Sequence, residues 1–366
     1  MNLMEKLTKA AKAGEMYNLD YLRDAWQEPR PRRLMGNETV YPPSPKAVKA
    51  IAEFAPLANY YAEDASTIDE LRRGLAEYVG LEDAADWVTL GNGSLELIET
   101  LYRVFLEDGD EVLVPSPEYS VYVRRAKLFG ANVVDVMPDR DFRYDLENFT
   151  RVLTPRTKMI VLTRPNNPTG DLVSRKLLEG LTARDCIVVV DEAYAQFARE
   201  TVCDMLANHP NLVVLRTFSK AMGLAGVRLG FAVANPEIIG YLNRIRVPLN
   251  VSLIAKVAAQ AALNDLAYIE GVTHKVIEAR DRFVEELKRI PGIRPFPSAG
   301  NFVLIDCEGT RKAASEIQNH LREKGFMVRL FAGARGLPGD HYLRVSVGTP
   351  EDMRLVANEI KACAAA

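Results

Sequence analysis

Four cysteines and four histidines in 366 residues leave little room for metal or redox chemistry. Cys186, Cys203, Cys307 and Cys363 are scattered, with no CxxC spacing and no histidine at ligand spacing. They read as reduced packing residues, so no disulfide framework and no metal site is expected. The histidines form no HExxH pattern, which argues against a metallohydrolase. No apolar run approaches the roughly 20 residues that span a bilayer. The N-terminal stretch MNLMEKLTKAAKAGEMYNLD is too charged and too broken for a secretory signal. Neither sign of charge dominates: 46 Lys and Arg stand against 49 Asp and Glu, a formal net charge of −3. That balance offers no basic footprint for nucleic acid and no polybasic patch for a membrane surface. Internal repeats and low-complexity tracts are absent as well. The expectation is a cytoplasmic globular protein with a large core, in two domains.

What the chain does have is a series of short apolar, β-branched runs, at 87–90, 111–115, 132–136, 158–163, 186–191, 212–217 and 229–234. Several are apolar nearly throughout, the mark of strands buried on both faces. Amphipathic stretches separate them. One helix is predicted after a cap at Ser66 and ends at Gly80; another starts near Ser94, with Leu95, Ile98, Leu101, Tyr102 and Phe105 on one stripe. The alternation predicts an α/β fold with one large, mainly parallel sheet between about residues 40 and 240. The last two runs are joined by a short segment, so that edge is expected to be antiparallel. Beyond residue 240 a long helical stretch at 252–289 leads into a compact α+β unit.

The polar residues that interrupt these runs carry the chemistry. LGNGSLE (90–96) follows a strand and opens a helix. Glu96 stands where a dinucleotide fingerprint needs its third glycine, and no acid follows the next strand, so a Rossmann site is disfavoured. The turn is either a plain glycine turn or an anion cradle built from the amides of Asn92, Gly93 and Ser94. Tyr119, just past the 111–115 strand, is either packed or a stacking surface for a flat ring. RPNNPTG (164–170) uses Pro and Gly to make a turn, which does not by itself require Asn166 and Asn167. Asp191 ends the run CIVVVD, where an unpaired carboxylate is costly; it either caps the next helix or answers a cationic partner. Tyr194 follows three residues later. Lys220, in TFSKAMGLAGVRLG, is either a surface lysine or a placed amine.

Strand ends at 163, 191 and 217 would lie on one sheet edge and bring Asn167, Asp191, Tyr194, Ser219 and Lys220 into one crevice. An anion cradle, a stacking aromatic, a buried acid, a phenol and a lysine describe a seat for pyridoxal 5′-phosphate. In that reading Lys220 is the catalytic amine that bonds the cofactor aldehyde. Asp191 keeps the ring nitrogen protonated, and Tyr194 hydrogen-bonds the ring oxygen. Ser219 and Arg228, with Thr217 in the same stretch, hold the phosphate.

SKAMGLAGVRLG, RPNNPTG, VVVDEAY and HYLRVSVGTPEDM together resemble the fold-type I pyridoxal-phosphate aminotransferases, and among them the histidinol-phosphate aminotransferase group. The resemblance spans nearly the whole chain. It implies a seven-stranded large domain at 36–240, an N-terminal arm at 1–35 that is part of the small domain, and a small C-terminal domain at 241–366. It implies a homodimer in which Tyr61 reaches the partner subunit's cofactor. Arg344 would grip the substrate carboxylate and Arg329 the substrate phosphate, with Asn37 also at the substrate and Tyr21 matching a substrate-phosphate tyrosine supplied by the partner subunit. The implied activity moves an amino group from L-histidinol phosphate to a 2-oxo acid such as 2-oxoglutarate. An aromatic or other amino donor, and a decarboxylase on the same fold, are the alternatives. The segment LMGNETVYPPSP keeps Gly36, Asn37, Glu38 and Tyr41 of the family pattern but departs from it at Met35, Thr39 and Val40.

Overall fold

The computed structural model describes residues 3–14, 20–26, 31–61 and 65–365. Among them are β1 (Arg32–Leu34), β2 (Val88–Gly91), β3 (Glu111–Pro115), β4 (Asn132–Val136), β5 (Thr157–Thr163) and β6 (Ile187–Asp191). These are followed by β7 (Leu212–Thr217), β8 (Gly230–Ala234), β9 (Arg294–Pro295), β10 (Phe302–Asp306), β11 (Phe326–Leu330) and β12 (Tyr342–Ser346). Seven of them form one sheet in the order β2-β8-β7-β6-β5-β3-β4, the α/β arrangement expected from the seven apolar runs.

Period-two alternation explains why those runs are apolar throughout. Val188 and Val190 of β6, Ile160 and Leu162 of β5 and Val214 of β7 face one core. Val189, Met159, Val161, Val213 and Leu215 face the other. Helices Pro45–Phe54, Ala65–Tyr78 and Leu253–Leu263 cover the first face; Ser94–Phe105, Ser120–Leu128 and Pro236–Ile245 cover the second. β4, at the edge, leaves most of its residues partly in water.

Three details differ from the sequence expectation. β8 is the antiparallel strand, but it is not the edge: it lies between β7 and β2 and pairs antiparallel with both. The stripe of the Ser94–Phe105 helix is rotated, burying Leu97 and leaving Leu95 at 36% exposure. Gly91 allows this rotation, because a Cβ there would meet Leu97 at 2.6 Å. The 252–289 stretch is two helices, Leu253–Leu263 and Leu266–Leu287, broken where Asp265 turns to accept the Ser44 hydroxyl. The side chain of Ser66, the predicted cap of the Ala65–Tyr78 helix, lies outside the described residues.

The remaining strands form a second sheet, ordered β1-β11-β12-β10-β9. β1 pairs parallel to β11, and the other pairings are antiparallel. Phe283, Phe302, Ile317, Val345 and Val356 share its core, so this sheet buries its own apolar face. Val251, Ala255 and Ile269, beyond residue 240, pack into the core of the larger sheet. Among the described residues no helix is long and apolar enough to cross a membrane.

Candidate active site

The carboxyl ends of β5, β6 and β7 converge, and register sets what they present. Thr163 stands beside Asp191, and Asp191 beside Leu215. Ligands of open α/β sheets bind at this edge. Lys220 follows β7 by three residues, and its Nζ donates to the Gly36 carbonyl at 2.9 Å and lies 5.8 Å from the Tyr194 ring. Burial pushes the amine down to about 8; Arg344 and Arg228 act in the same direction, Glu38 and Asp191 against it. A lysine held so is available as a neutral amine near physiological pH.

Asp191 is 5% exposed and, among the described residues, forms no ion pair. Its carboxylate accepts the Tyr122 hydroxyl at 2.7 Å and the Ala193 N–H at 2.9 Å. Burial raises it to about 6, while those hydrogen bonds and Lys220 pull the other way. It does not cap the next helix, Ala195–Ala198, whose cap position is Tyr194. The Tyr194 hydroxyl accepts from Asn37 Nδ2 at 3.0 Å and Asn167 Nδ2 at 3.4 Å, and burial pushes it up to about 12.

The second sheet closes the crevice through Arg344 of β12. One Nη donates to Asn167 Oδ1 and the other to the Met35 carbonyl at 2.6 Å; the rings of Phe302 and Phe331 flank the guanidinium at 5.4 and 5.7 Å. Its buried Nε has no hydrogen-bond partner, and burial lowers the group to about 10. A buried, unmatched guanidinium donor calls for an acceptor, and a carboxylate suits its fork. Asn37 locks the same seam: its N–H donates to Ser346 Oγ at 2.8 Å, and Asn301 Nδ2 donates to its carbonyl at 3.0 Å.

A positive pocket forms at the N-terminus of the Ser94–Phe105 helix. Arg228, in the left-handed region at φ 63°, donates from Nη1 to Ser219 Oγ at 3.3 Å. Thr217 Oγ1 in turn accepts the Ser219 N–H at 3.1 Å. Gly93, at φ 80°, leaves the space this needs, and Gly230 lets β8 pass close under the Ser94 amide. Helix dipole and guanidinium together favour an anion. Two of the three expected cradle amides are already engaged: the N–H of the exposed Asn92 bonds the Glu96 carboxylate, which Asn250 also holds at 2.9 Å, and the Gly93 N–H donates to the Gly91 carbonyl at 2.8 Å.

Tyr119 begins the Ser120–Leu128 helix and meets Tyr122 edge-on, with ring centroids 5.6 Å apart. Tyr61 is 84% exposed and stands outside the buried cluster. Arg329 of β11 lies over the Tyr21 ring of the same chain, 4.8 Å from its centroid. Both line a cavity of about 340 Å³, together with Met35, Gln318 and Arg322. Asn167 faces Tyr194 and Arg344, whereas Asn166 turns away and donates to Glu118 at 3.0 Å.

Several residues touching the site escaped sequence reading. Tyr122 lies one helical turn after Tyr119 on the same face, a spacing that would have revealed it. Glu118, between a proline and Tyr119, gave a weaker signal. On the opposite face of the strands, Arg164, Glu192 and Arg216 form a buried ionic cluster directly behind Thr163, Asp191 and Thr217. Arg216 precedes Thr217 within β7, while Arg164 and Glu192 directly follow the last residues of β5 and β6, so continued alternation predicts the shared face.

The model of the family described as aminotransferase class I and II matches residues 33–360. Histidinol-phosphate aminotransferase from Methanothermobacter thermautotrophicus is 38% identical over 88% of this chain and 86% of its own length. The enzyme of the same name from Thermoanaerobacter pseudethanolicus is 33% identical over 98% of both chains. Among solved structures, histidinol-phosphate aminotransferase from Sinorhizobium meliloti in complex with pyridoxal-5′-phosphate superimposes with a TM-score of 0.86. That pair is 28% identical, and the match covers 98% of each chain.

Proposed function

The chain belongs to the aminotransferase class I and II family, and from that premise we propose that it is a pyridoxal-5′-phosphate-dependent histidinol-phosphate aminotransferase. The observation that carries this reading is the meeting of Lys220, Asp191 and the unmatched Arg344 at one sheet edge. The residues fit the cofactor. Gly93 leaves room for Arg228 over a helix N-terminus, which suits a phosphate. Asp191 is a buried carboxylate without an ion pair among the described residues, which suits a protonated ring nitrogen.

Bound pyridoxal 5′-phosphate supplies a conjugated cationic ring that withdraws electrons from the donor's Cα. Ser219, Thr217 and Arg228 would hold its phosphate, Asp191 its ring nitrogen, and Tyr194 and Asn167 its ring oxygen. Tyr119 would cover one ring face. Arg344 would hold the carboxylate of the 2-oxo acid and of the amino acid formed from it, so that the reacting carbon faces Lys220. Lys220 then takes the Cα proton; its lowered basicity makes the free amine available for this. Arg329 and Tyr21, lining the cavity beside Met35, suit the donor's phosphate. The acceptor would be a 2-oxo acid such as 2-oxoglutarate. The exposed Tyr60 and Tyr61 support a homodimer in which Tyr61 reaches the partner's cofactor phosphate. Sedimentation at monomer mass only would remove that part.

Purified protein given the cofactor is expected to gain a visible absorbance band. L-histidinol phosphate should discharge the band, and 2-oxoglutarate should restore it. No band after cofactor addition overturns the cofactor assignment. Release of CO2 without an acceptor overturns transamination, and inertness toward histidinol phosphate removes that donor.

A further inference from the structure

The turn between β3 and the Ser120–Leu128 helix carries a carboxylate that the proposed reaction does not use. Glu118 accepts four hydrogen bonds. Its Oε1 takes the Tyr119 N–H at 2.8 Å and the Thr163 hydroxyl at 2.5 Å; its Oε2 takes the Thr163 N–H at 2.8 Å and Asn166 Nδ2 at 3.0 Å. Thr163 and Asn166 are 2% and 1% exposed, while Glu118 itself is half-buried. Three of the four partners are N–H groups, which can only donate. The Thr163 hydroxyl alone can reverse its direction.

That hydroxyl is also the first link of a path to Asp191. Thr163 Oγ1 lies 3.4 Å from the Tyr122 hydroxyl, which donates to Asp191 Oδ2 at 2.7 Å. We propose that Glu118 is a positioning residue whose protonation state sets, through Thr163 and Tyr122, how strongly Asp191 is hydrogen-bonded beneath the cofactor ring.

Two proton arrangements follow from the donor inventory. With Glu118 ionised, Thr163 donates to Glu118 and Tyr122 donates to Asp191, so no proton lies between the two hydroxyl oxygens. With Glu118 protonated, its O–H donates to Thr163, and the Thr163 hydroxyl turns to donate to Tyr122. A phenol that accepts a hydrogen bond is a stronger donor, so the bond from Tyr122 to Asp191 tightens. Loss of the Glu118 charge favours an ionised Asp191 in the same direction.

The surroundings make this switch reachable near neutral pH. Burial is the main cause that raises Glu118 to about 7, and Asp191 adds to it. The groups facing Glu118 are Tyr102 and Tyr122 from the covering helices, Tyr144, Tyr194, Asp191 and Arg335, and Arg335 is the only cation among these. Asp191 faces Lys220 and Glu192 besides Tyr122.

The link to the ring rests on the cofactor reading above; the coupling of the two carboxyls does not. Carbon NMR titration of the cofactor-free full chain, with Asp and Glu carboxyls labelled, reads both groups. The Asp191 signal is expected to move twice, at its own midpoint and at that of Glu118. Thr163→Val should shrink the second movement to what the direct charge interaction leaves, Thr163→Ser should keep it, and Glu118→Gln should abolish it. A second movement of wild-type size in Thr163→Val, or a single movement in the wild type, overturns the proposal. In the loaded protein, cofactor affinity measured by dialysis should change across neutrality more steeply in the wild type than in Glu118→Gln, where only Lys220 and Asp191 still titrate. A pH dependence of wild-type size in Glu118→Gln overturns the link to the ring. If the wild type binds no cofactor, the proposed function fails, while the NMR titration still decides the coupling.

Discussion

A Cβ placed on Gly93 would stand 2.5 Å from Nη2 of Arg228. The glycine is therefore the space in which the guanidinium sits, and its φ of 80° is costly for any other residue. Gly93→Ala is expected to displace Arg228 and weaken cofactor retention by about tenfold or more. Equilibrium dialysis against the cofactor checks this, and unchanged retention would remove the pocket from the anion site.

Lys220 carries a second prediction, through pH. Its amine sits at about 8, so roughly a tenth is neutral at pH 7. Only the neutral amine attacks an aldehyde. The rate at which cofactor-free protein regains its visible band should rise with pH and level off above about 8. Lys220→Ala should lack the band and lose about 10²–10⁴-fold in transamination. Stopped-flow absorbance across pH 6–10 measures the profile, and a plateau only near pH 10.5 would contradict the buried, cation-flanked amine.

Asp191 trades stability for its place in the crevice. Its folded value, about 6, lies above the ordinary 3.8 of an aspartate. The folded state thus binds the proton more tightly than the unfolded chain. Its contribution to stability is full below about pH 4 and is lost as pH rises through 6. Asp191→Asn is expected to stabilise the cofactor-free protein at pH 7.5, by about 3 kcal/mol at most, while weakening cofactor binding. Urea unfolding of both proteins, with and without cofactor, separates the two effects; a destabilised cofactor-free Asp191→Asn would be the wrong sign.

Behind that carboxylate, Glu192 is fully buried, with Arg216 at 3.4 Å and Arg164 at 3.9 Å. It also accepts the Thr201 hydroxyl at 2.6 Å and the Val202 N–H at 2.8 Å. Glu192→Gln leaves the buried Arg216 short of its counter-ion, while Arg164 keeps Glu200 at 2.6 Å, and about 3–5 kcal/mol of stability is expected to go with it. Denaturant midpoints measure the loss, and a change under about 1 kcal/mol would mean that the cluster is dispensable.

The larger sheet was legible because burial on both faces writes itself into composition: VVV in β6 and VVL in β7 have no solvent side to mark. The position of β8 was not legible, since pairing order depends on contacts between distant segments. Lys220, Asp191, Asn167 and Tyr194 stood out as polar residues closing apolar runs, and the fold gathers them at one edge. Glu118 did not stand out, because a carboxylate in a turn looks solvated until the 163–170 loop folds over it. The Asn92 amide was misjudged for a similar reason: only the helix geometry brings Glu96 back to it.

Arg344 joins the two sheets, bonding Asn167 on one side and the main chain at Met35 on the other. The proposed cofactor contacts within one chain come from the larger sheet and its loops. Arg329, Tyr21 and the departures at Met35, Thr39 and Val40 belong to the smaller sheet or to the segments flanking β1. On the proposed reading, the seat of the chemistry and the choice of amino donor are encoded largely in separate stretches of chain. Divergence at Tyr21, Met35, Thr39, Val40 and Arg329 would then change the diet of such an enzyme without changing its chemistry, whereas Gly36 and Asn37 stay tied to Lys220 and Tyr194.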